Sequence, residues 1–262
     1  MFFPDISFNN ILKITLNDNL SLIAVYVKVT TLQYSIHVYT YSYNTPLKKY
    51  TISDFNSDIN TVAFSNILGE EYIIIADTNH IYICNQTKYY KKKIWGNGSN
   101  IQTMVANDQF IIIGHTDSVV RVYEIINEVN CNYSQSFGII SGYNEWEIPN
   151  YKIGFGYTLA TDKSGSYIFV GTKGAAMKMQ LSTSPEHHDS YCIDTVNIYK
   201  LDANEYQLVQ TIPSPSPNYT SVNIPYSLFG YSLSYKNNIL AISAPYYSVS
   251  YTHLTLPTNR EV

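Results

Sequence analysis

The sequence predicts an all-β chain, a β-propeller of four-stranded antiparallel blades with about four to five blades present and the ring incomplete. Three observations predict it. A short apolar strand ending in a small residue recurs, most copies follow another strand across a corner of Asn, Asp, Ser or Gly, and no apolar spacing of helical period is sustained.

The recurring strand first appears as Leu22-Ile23-Ala24-Val25. Val62-Ala63-Phe64 then crosses the corner Gly69-Glu70 into Ile73-Ile74-Ile75-Ala76, and Met104-Val105-Ala106 crosses Asn107-Asp108 into Ile111-Ile112-Ile113-Gly114. Leu159-Ala160-Thr161 crosses Ser164-Gly165 into Ile168-Phe169-Val170-Gly171, and Ser232-Leu233-Ser234 crosses Asn237-Asn238 into Leu240-Ala241-Ile242-Ser243. These corners carry the residues that tight turns require. A third strand follows in Ile81 to Cys84, Val119 to Tyr123 and Val196 to Tyr199, and a fourth in Tyr206 to Ile212. Four such strands make one blade, which dries its faces only when neighbours stack on it.

The predicted blades fall at 1–52, 53–95, 96–150, 151–227 and a partial 228–248. Val249 to Thr258 resembles the translation of a sequencing-library adapter, so 249–262 is read as an added tail. On that reading the ring lacks its closing partner, and unpaired edges should make the expressed chain poorly soluble.

At 262 residues the chain can bury one sizeable core, and all-β propellers of this size form single domains. Its 26 tyrosines, beside many Ile, Val, Thr and Phe, suit pleated, half-buried surfaces. Only 14% of residues are charged and the net charge is -4, so no basic field exists to attract nucleic acid or anionic lipid. No run is long and apolar enough for a membrane helix, and no signal peptide is visible at the start. Cys84, Cys131 and Cys192 lack the spacing of a zinc site or a disulfide framework. Asn85, Asn97, Asn132 and Asn218 begin glycosylation sequons, a number that this Asn-, Ser- and Thr-rich composition produces by chance.

Gly154-Phe155-Gly156-Tyr157-Thr158-Leu159-Ala160, with Tyr167 to Gly171 after it, resembles the FG-GAP repeat of integrin-type propellers. The pattern returns at Leu228-Phe229-Gly230-Tyr231-Ser232-Leu233-Ser234, followed by Leu240 to Pro245, so the resemblance covers about 151–248. Phe110 to Gly114 with Asp117 to Glu124 resembles a WD repeat in a single copy, with Tyr123-Glu124 where Trp-Asp would stand. Both families are propellers. The FG-GAP resemblance implies recognition of a protein or glycan by loops on one propeller face, at an extracellular or surface location.

Many FG-GAP repeats hold calcium on a loop rich in aspartates. Asp162 is the weak candidate ligand here, but Asp162-Lys163-Ser164-Gly165-Ser166 offers one carboxylate where a hard cation wants several oxygens, and Tyr235-Lys236-Asn237-Asn238 offers none. No cofactor is therefore expected. Glu186-His187-His188-Asp189 is the densest set of potential ligands, yet adjacent strand residues point to opposite faces, which favours an exposed insertion over a metal site. His115, Asp117 and Ser118 supply the residue types of a nucleophilic site but fall on a hairpin turn. Lys91-Lys92-Lys93 reads as a solvated sheet edge.

The expectation is thus a non-enzymatic binding module whose partner contacts lie on His187, His188 and Tyr191 of the 177–195 insertion and on Tyr246 and Tyr247. Rigid, amphipathic tyrosines suit that role. A propeller enzyme, hydrolase or lyase, with its site in the channel, and an intracellular WD-type scaffold stand as alternatives, because one fold hosts many functions.

Overall fold

The apolar runs pair as antiparallel strands because alternating side-chain direction lets Ile, Val, Tyr and Phe cover both faces of a pleated ribbon. The computed structural model describes residues 6, 10–17, 21–30, 33–42, 45–55, 58–85, 87, 89–93, 100–127, 130–138, 154–173, 176–178, 190–192, 195–214, 229–245 and 254–255. No α-helix occurs among them.

The first sheet contains β1 (Ile11–Leu16), β2 (Leu22–Lys28), β3 (Tyr34–Ser42) and β4 (Thr45–Phe55) in chain order. The second repeats that meander with β5 (Ile59–Ile67), β6 (Glu70–Asp77), β7 (His80–Cys84) and β8 (Tyr89–Lys93). The third runs β9 (Ile101–Ala106), β10 (Phe110–His115), β11 (Val120–Ile125) and β12 (Cys131–Phe137). The fourth starts with β13 (Gly154–Thr161) and β14 (Tyr167–Lys173). A separate hairpin of β15 (Ala176–Lys178) and β16 (Ser190–Cys192) interrupts it before β17 (Thr195–Asp202) and β18 (Glu205–Pro213) complete it. A last sheet joins β19 (Leu233–Lys236), β20 (Ile239–Ile242) and β21 (Leu254–Thr255), the last lying inside the adapter-like segment. This succession of four-stranded up-and-down sheets makes the protein a β-propeller of antiparallel blades.

The chain divides into unit 1, Met1–Ile111 with Tyr123–Tyr133, and unit 2, Ile112–Val122 with Ser134–Val262. In unit 1 the first two sheets pack face to face. Leu22, Ala24, Tyr26, Ile36 and Val38 meet Val62, Ile73, Ile75, Tyr82 and Cys84 in one core. The opposite face of β2 buries Ile23, Val25 and Val27 with Tyr39. Both faces of that strand are therefore dry, as blade stacking requires, and each large apolar side chain so buried contributes roughly 1.5–3 kcal/mol.

Polar groups bridge β5 to β9 within the same unit. Asn60 Nδ2 donates to the Ile101 carbonyl at 2.6 Å, Thr61 Oγ1 to that of Met104 at 3.3 Å, and Ser65 Oγ to that of Asn107 at 2.9 Å.

In unit 2 the fourth sheet is covered on one side by the last. Ala160, Phe169, Val196, Ile198 and Ile212 form a core with Phe229 and Leu240. Ile168 and Val170, on the other face of β14, are also fully buried. On that other side Phe137 stacks on Tyr199 with ring centroids 4.3 Å apart. Gln135 meanwhile exchanges two hydrogen bonds with the Tyr206 backbone, at 3.0 and 2.8 Å.

Among the described residues, three hairpins turn on two consecutive left-handed residues: Leu68-Gly69, Ala203-Asn204 and Asn237-Asn238. That geometry matches the twist of the flanking strands and suits Asn and Gly. Leu68 and Ala203, at φ 52° and 44°, adopt it against their steric preference.

Candidate binding surface

Strand direction determines which loops share an end. In the fourth sheet Gly154 pairs with Lys173 and Thr172 with Thr195, so the start of β13, the end of β14 and the start of β17 lie together. Thr195 also pairs with Pro213, which brings the end of β18 to the same place. The residue 174–194 insertion therefore leaves and rejoins the blade beside the first Phe-Gly-Tyr triplet.

The second triplet sits at that same end. The Gly230 carbonyl accepts a hydrogen bond from Thr158 Oγ1 at 2.6 Å, and an added Cβ at Gly230 would lie 3.4 Å from the Thr195 carbonyl oxygen. Leu233 pairs with Ile242, so the chain leads toward Tyr246 and Tyr247 from this end as well.

The two triplets occupy equivalent surroundings. Phe155 and Phe229 are both buried, and Gly156 and Gly230 are both left-handed, at φ 77° and 81°. A Cβ on Gly156 would reach 2.7 Å from Val120 Cγ2 and 3.3 Å from the Gly114 Cα; on Gly230 the corresponding neighbours are Val196 Cγ2 at 3.2 Å and the Gly171 Cα at 3.5 Å. Each triplet glycine thus abuts the glycine near the end of the second strand of the preceding blade. The register of β13 on β14 shifts between Phe155 and Thr158. Tyr157 and Tyr231 lie together, ring centroids 5.8 Å apart and tilted by 41°, with Tyr231 41% exposed.

The predicted site residues fare differently. Asp162 stands at the β13–β14 corner, where its Oδ1 accepts from the Tyr167 amide at 2.7 Å and its Oδ2 from the Ser164 hydroxyl. Its carboxylate organises its own turn, in the usual role of a corner aspartate. Among the described residues no three His, Cys, Asp or Glu side chains gather closely enough to hold a metal ion. Tyr191 lies on β16 opposite Met177. His187, His188, Tyr246 and Tyr247 lie outside the described residues.

The His115, Asp117 and Ser118 group serves the β10–β11 turn. Asp117 pairs with Arg121 at 2.8 Å and accepts from the Val119 amide at 3.2 Å; left-handed Ser118 donates its amide to the His115 carbonyl at 3.1 Å. Lys91 to Lys93 lie on β8, the edge strand of the second sheet.

Unit 1 holds a polar cluster that sequence reasoning missed. Buried Asp77 accepts from the amides of Asn79 and His80 at 2.8 and 2.7 Å, from His80 Nδ1 at 3.2 Å and from the Tyr82 hydroxyl at 2.7 Å. Beside it, burial pushes Tyr26 up to about 12 while its hydroxyl oxygen accepts from the Ile59 amide at 3.1 Å. The only signal was the corner Asp77-Thr78-Asn79-His80, which reads as an ordinary turn.

Comparison with known proteins adds little to this geometry. No family model matches the chain, and no curated protein does. Among solved structures, a mitotic checkpoint complex chain is similar at 9% identity with a TM-score of 0.47, over 91% of this chain and 73% of that one. A hypothetical selenium-binding protein from Sulfolobus tokodaii is similar at 9% identity with a TM-score of 0.48, over 78% of this chain and 55% of that one. Both scores lie below 0.5, so the blade architecture rests on the sheets' own order and packing.

Proposed function

We propose that this chain is a non-enzymatic binding module that recognises a protein or a glycan through the blade end of unit 2, with no bound cofactor. One observation carries the reading: two equivalent tyrosines, the flanks of the 174–194 insertion and the approach to Tyr246-Tyr247 all share that end. Tyrosine supplies broad, rigid contact area at low entropic cost. The resemblance of both Phe-Gly-Tyr segments to FG-GAP repeats supports the same role and an extracellular or cell-surface setting. A net charge of -4 argues against nucleic acid as the partner.

Replacing residues 179–189 by a Gly-Ser linker and probing an array of extracellular proteins and glycans tests it. The expected result is loss of the wild-type signals at unchanged melting temperature. Signals that persist after the replacement would overturn the reading.

A further inference from the structure

The tyrosine pair narrows the ligand class of the surface just proposed, and this step rests on that binding-module reading. We infer that Tyr157 and Tyr231 form a stacking ledge for a neutral saccharide. The two rings come from the same position of successive repeats, 5.8 Å apart and tilted by 41°. Together they make one shallow ledge at a partly exposed position rather than two separate pockets. Aromatic faces carry negative quadrupole density, which attracts the weakly positive C–H groups on the flat face of a sugar ring.

Among the described side chains beside the second triplet, the threonines and serines are polar and uncharged. Thr158, Thr172 and Thr195 lie beside the second triplet, and Ser243 Oγ accepts from the Ser232 amide at 2.8 Å. The Asp117–Arg121 pair at the β10–β11 turn, next to the first triplet, joins its two charges at 2.8 Å. Hydroxyls both donate and accept, matching the mixed hydrogen-bonding of a polyol. A charged ligand would shed water here without an opposite charge among these side chains to meet it. A polyproline segment fits less well, because its same-face residues recur about 9 Å apart, wider than the ring separation.

The full chain is titrated calorimetrically with cellotetraose, chitotetraose, xylotetraose and a mannan tetrasaccharide, and separately with decaproline. At least one saccharide is expected to bind. Tyr157→Ala and Tyr231→Ala should each weaken it about tenfold, whereas Tyr231→Phe, which keeps the ring, should stay within about threefold. Tyr133→Ala, removing an exposed tyrosine of unit 1, should leave it unchanged. Nitration of the wild-type chain gives a readout free of variant folding: saturating saccharide should protect Tyr231. No saccharide binding at about 10 mM, or binding indifferent to Tyr231→Ala with Tyr231 unprotected, overturns the inference. Decaproline binding that depends on Tyr231, without saccharide binding, also overturns it while leaving the binding-module reading standing. Failure of the linker replacement strikes that broader reading instead.

Discussion

In unit 1, side chains bridge the first strands of successive sheets: Asn60, Thr61 and Ser65 of β5 each donate to a carbonyl of the β9 segment. In unit 2 the comparable approach is made by bare backbone, with Gly230 against Gly171 and Gly156 against Gly114. Hydrogen bonds hold blades apart at a set distance, and each contributes about 1 kcal/mol net. Glycines bring backbones together and tolerate almost no added atom. One architecture therefore fails in different ways in its two halves.

The largest expected effect tests the glycine contact. A Cβ at Gly171 would lie 2.2 Å from Thr158 Oγ1 and 2.6 Å from the Gly230 carbonyl oxygen. The hydroxyl can rotate away, but the carbonyl belongs to the backbone. Gly171→Ala should cost about 3 kcal/mol, with faster hydrogen exchange in the peptides of unit 2. A loss under about 1 kcal/mol would mean that these blades are not locked by close approach.

Ser65→Ala tests the other device. It leaves the Asn107 carbonyl without the Ser65 hydroxyl and should cost about 1 to 2 kcal/mol by urea denaturation, with the exchange change confined to unit 1. Equal loosening of both units would remove the contrast.

Alkaline pH should also separate them. In unit 1 burial pushes Cys84 from 9.0 up to about 12, and Tyr26 and Tyr50 from 10.0 up to about 12. In unit 2 burial pushes Tyr199 from 10.0 up to about 12 and raises Tyr206 as well. Each group loses its proton more readily unfolded than folded, so its stabilisation is complete below the unfolded value and disappears as pH climbs through the folded one. Unit 1 should begin to weaken above pH 9 and unit 2 above pH 10. Cys84→Ala should move the unit 1 onset up toward that of unit 2, as followed by circular dichroism and hydrogen exchange across an alkaline series.

The smallest effects are gains at strained corners. Leu68→Asn in unit 1 and Ala203→Gly in unit 2 place residues suited to left-handed geometry where Leu and Ala now stand. Each should raise stability by about 0.5–1 kcal/mol in denaturant melts. A loss at either position would show that the side chain makes a contact worth more than its strain.

Much of the strand pattern was legible because burial on a pleat leaves a local trace. Ile73 to Ala76, Ile111 to Gly114 and Ile168 to Val170 are buried at the centres of their sheets, as their apolar runs announce. The Gly69 and Asn237-Asn238 corners were equally plain, whereas Ala203-Asn204 was hidden by an alanine that conforms under the demand of its hairpin. Lys91 to Lys93, read from their charge as a solvated sheet edge, do lie on the edge strand β8. Of the surface, the Phe-Gly-Tyr repetition was visible in the sequence. That Tyr157 and Tyr231 meet depends on two residues distant in sequence.

By itself, the sequence determined that this protein is all-β, that its strands turn back on themselves at short corners, and that two segments repeat one Phe-Gly-Tyr pattern. These features follow from alternation and turn chemistry, which act between near neighbours along the chain. Only the tertiary structure decided that glycine meets glycine between blades of unit 2 and that the two tyrosines share one end. Those outcomes depend on where separate sheets stack, and stacking is driven by buried area that no local run of residues specifies.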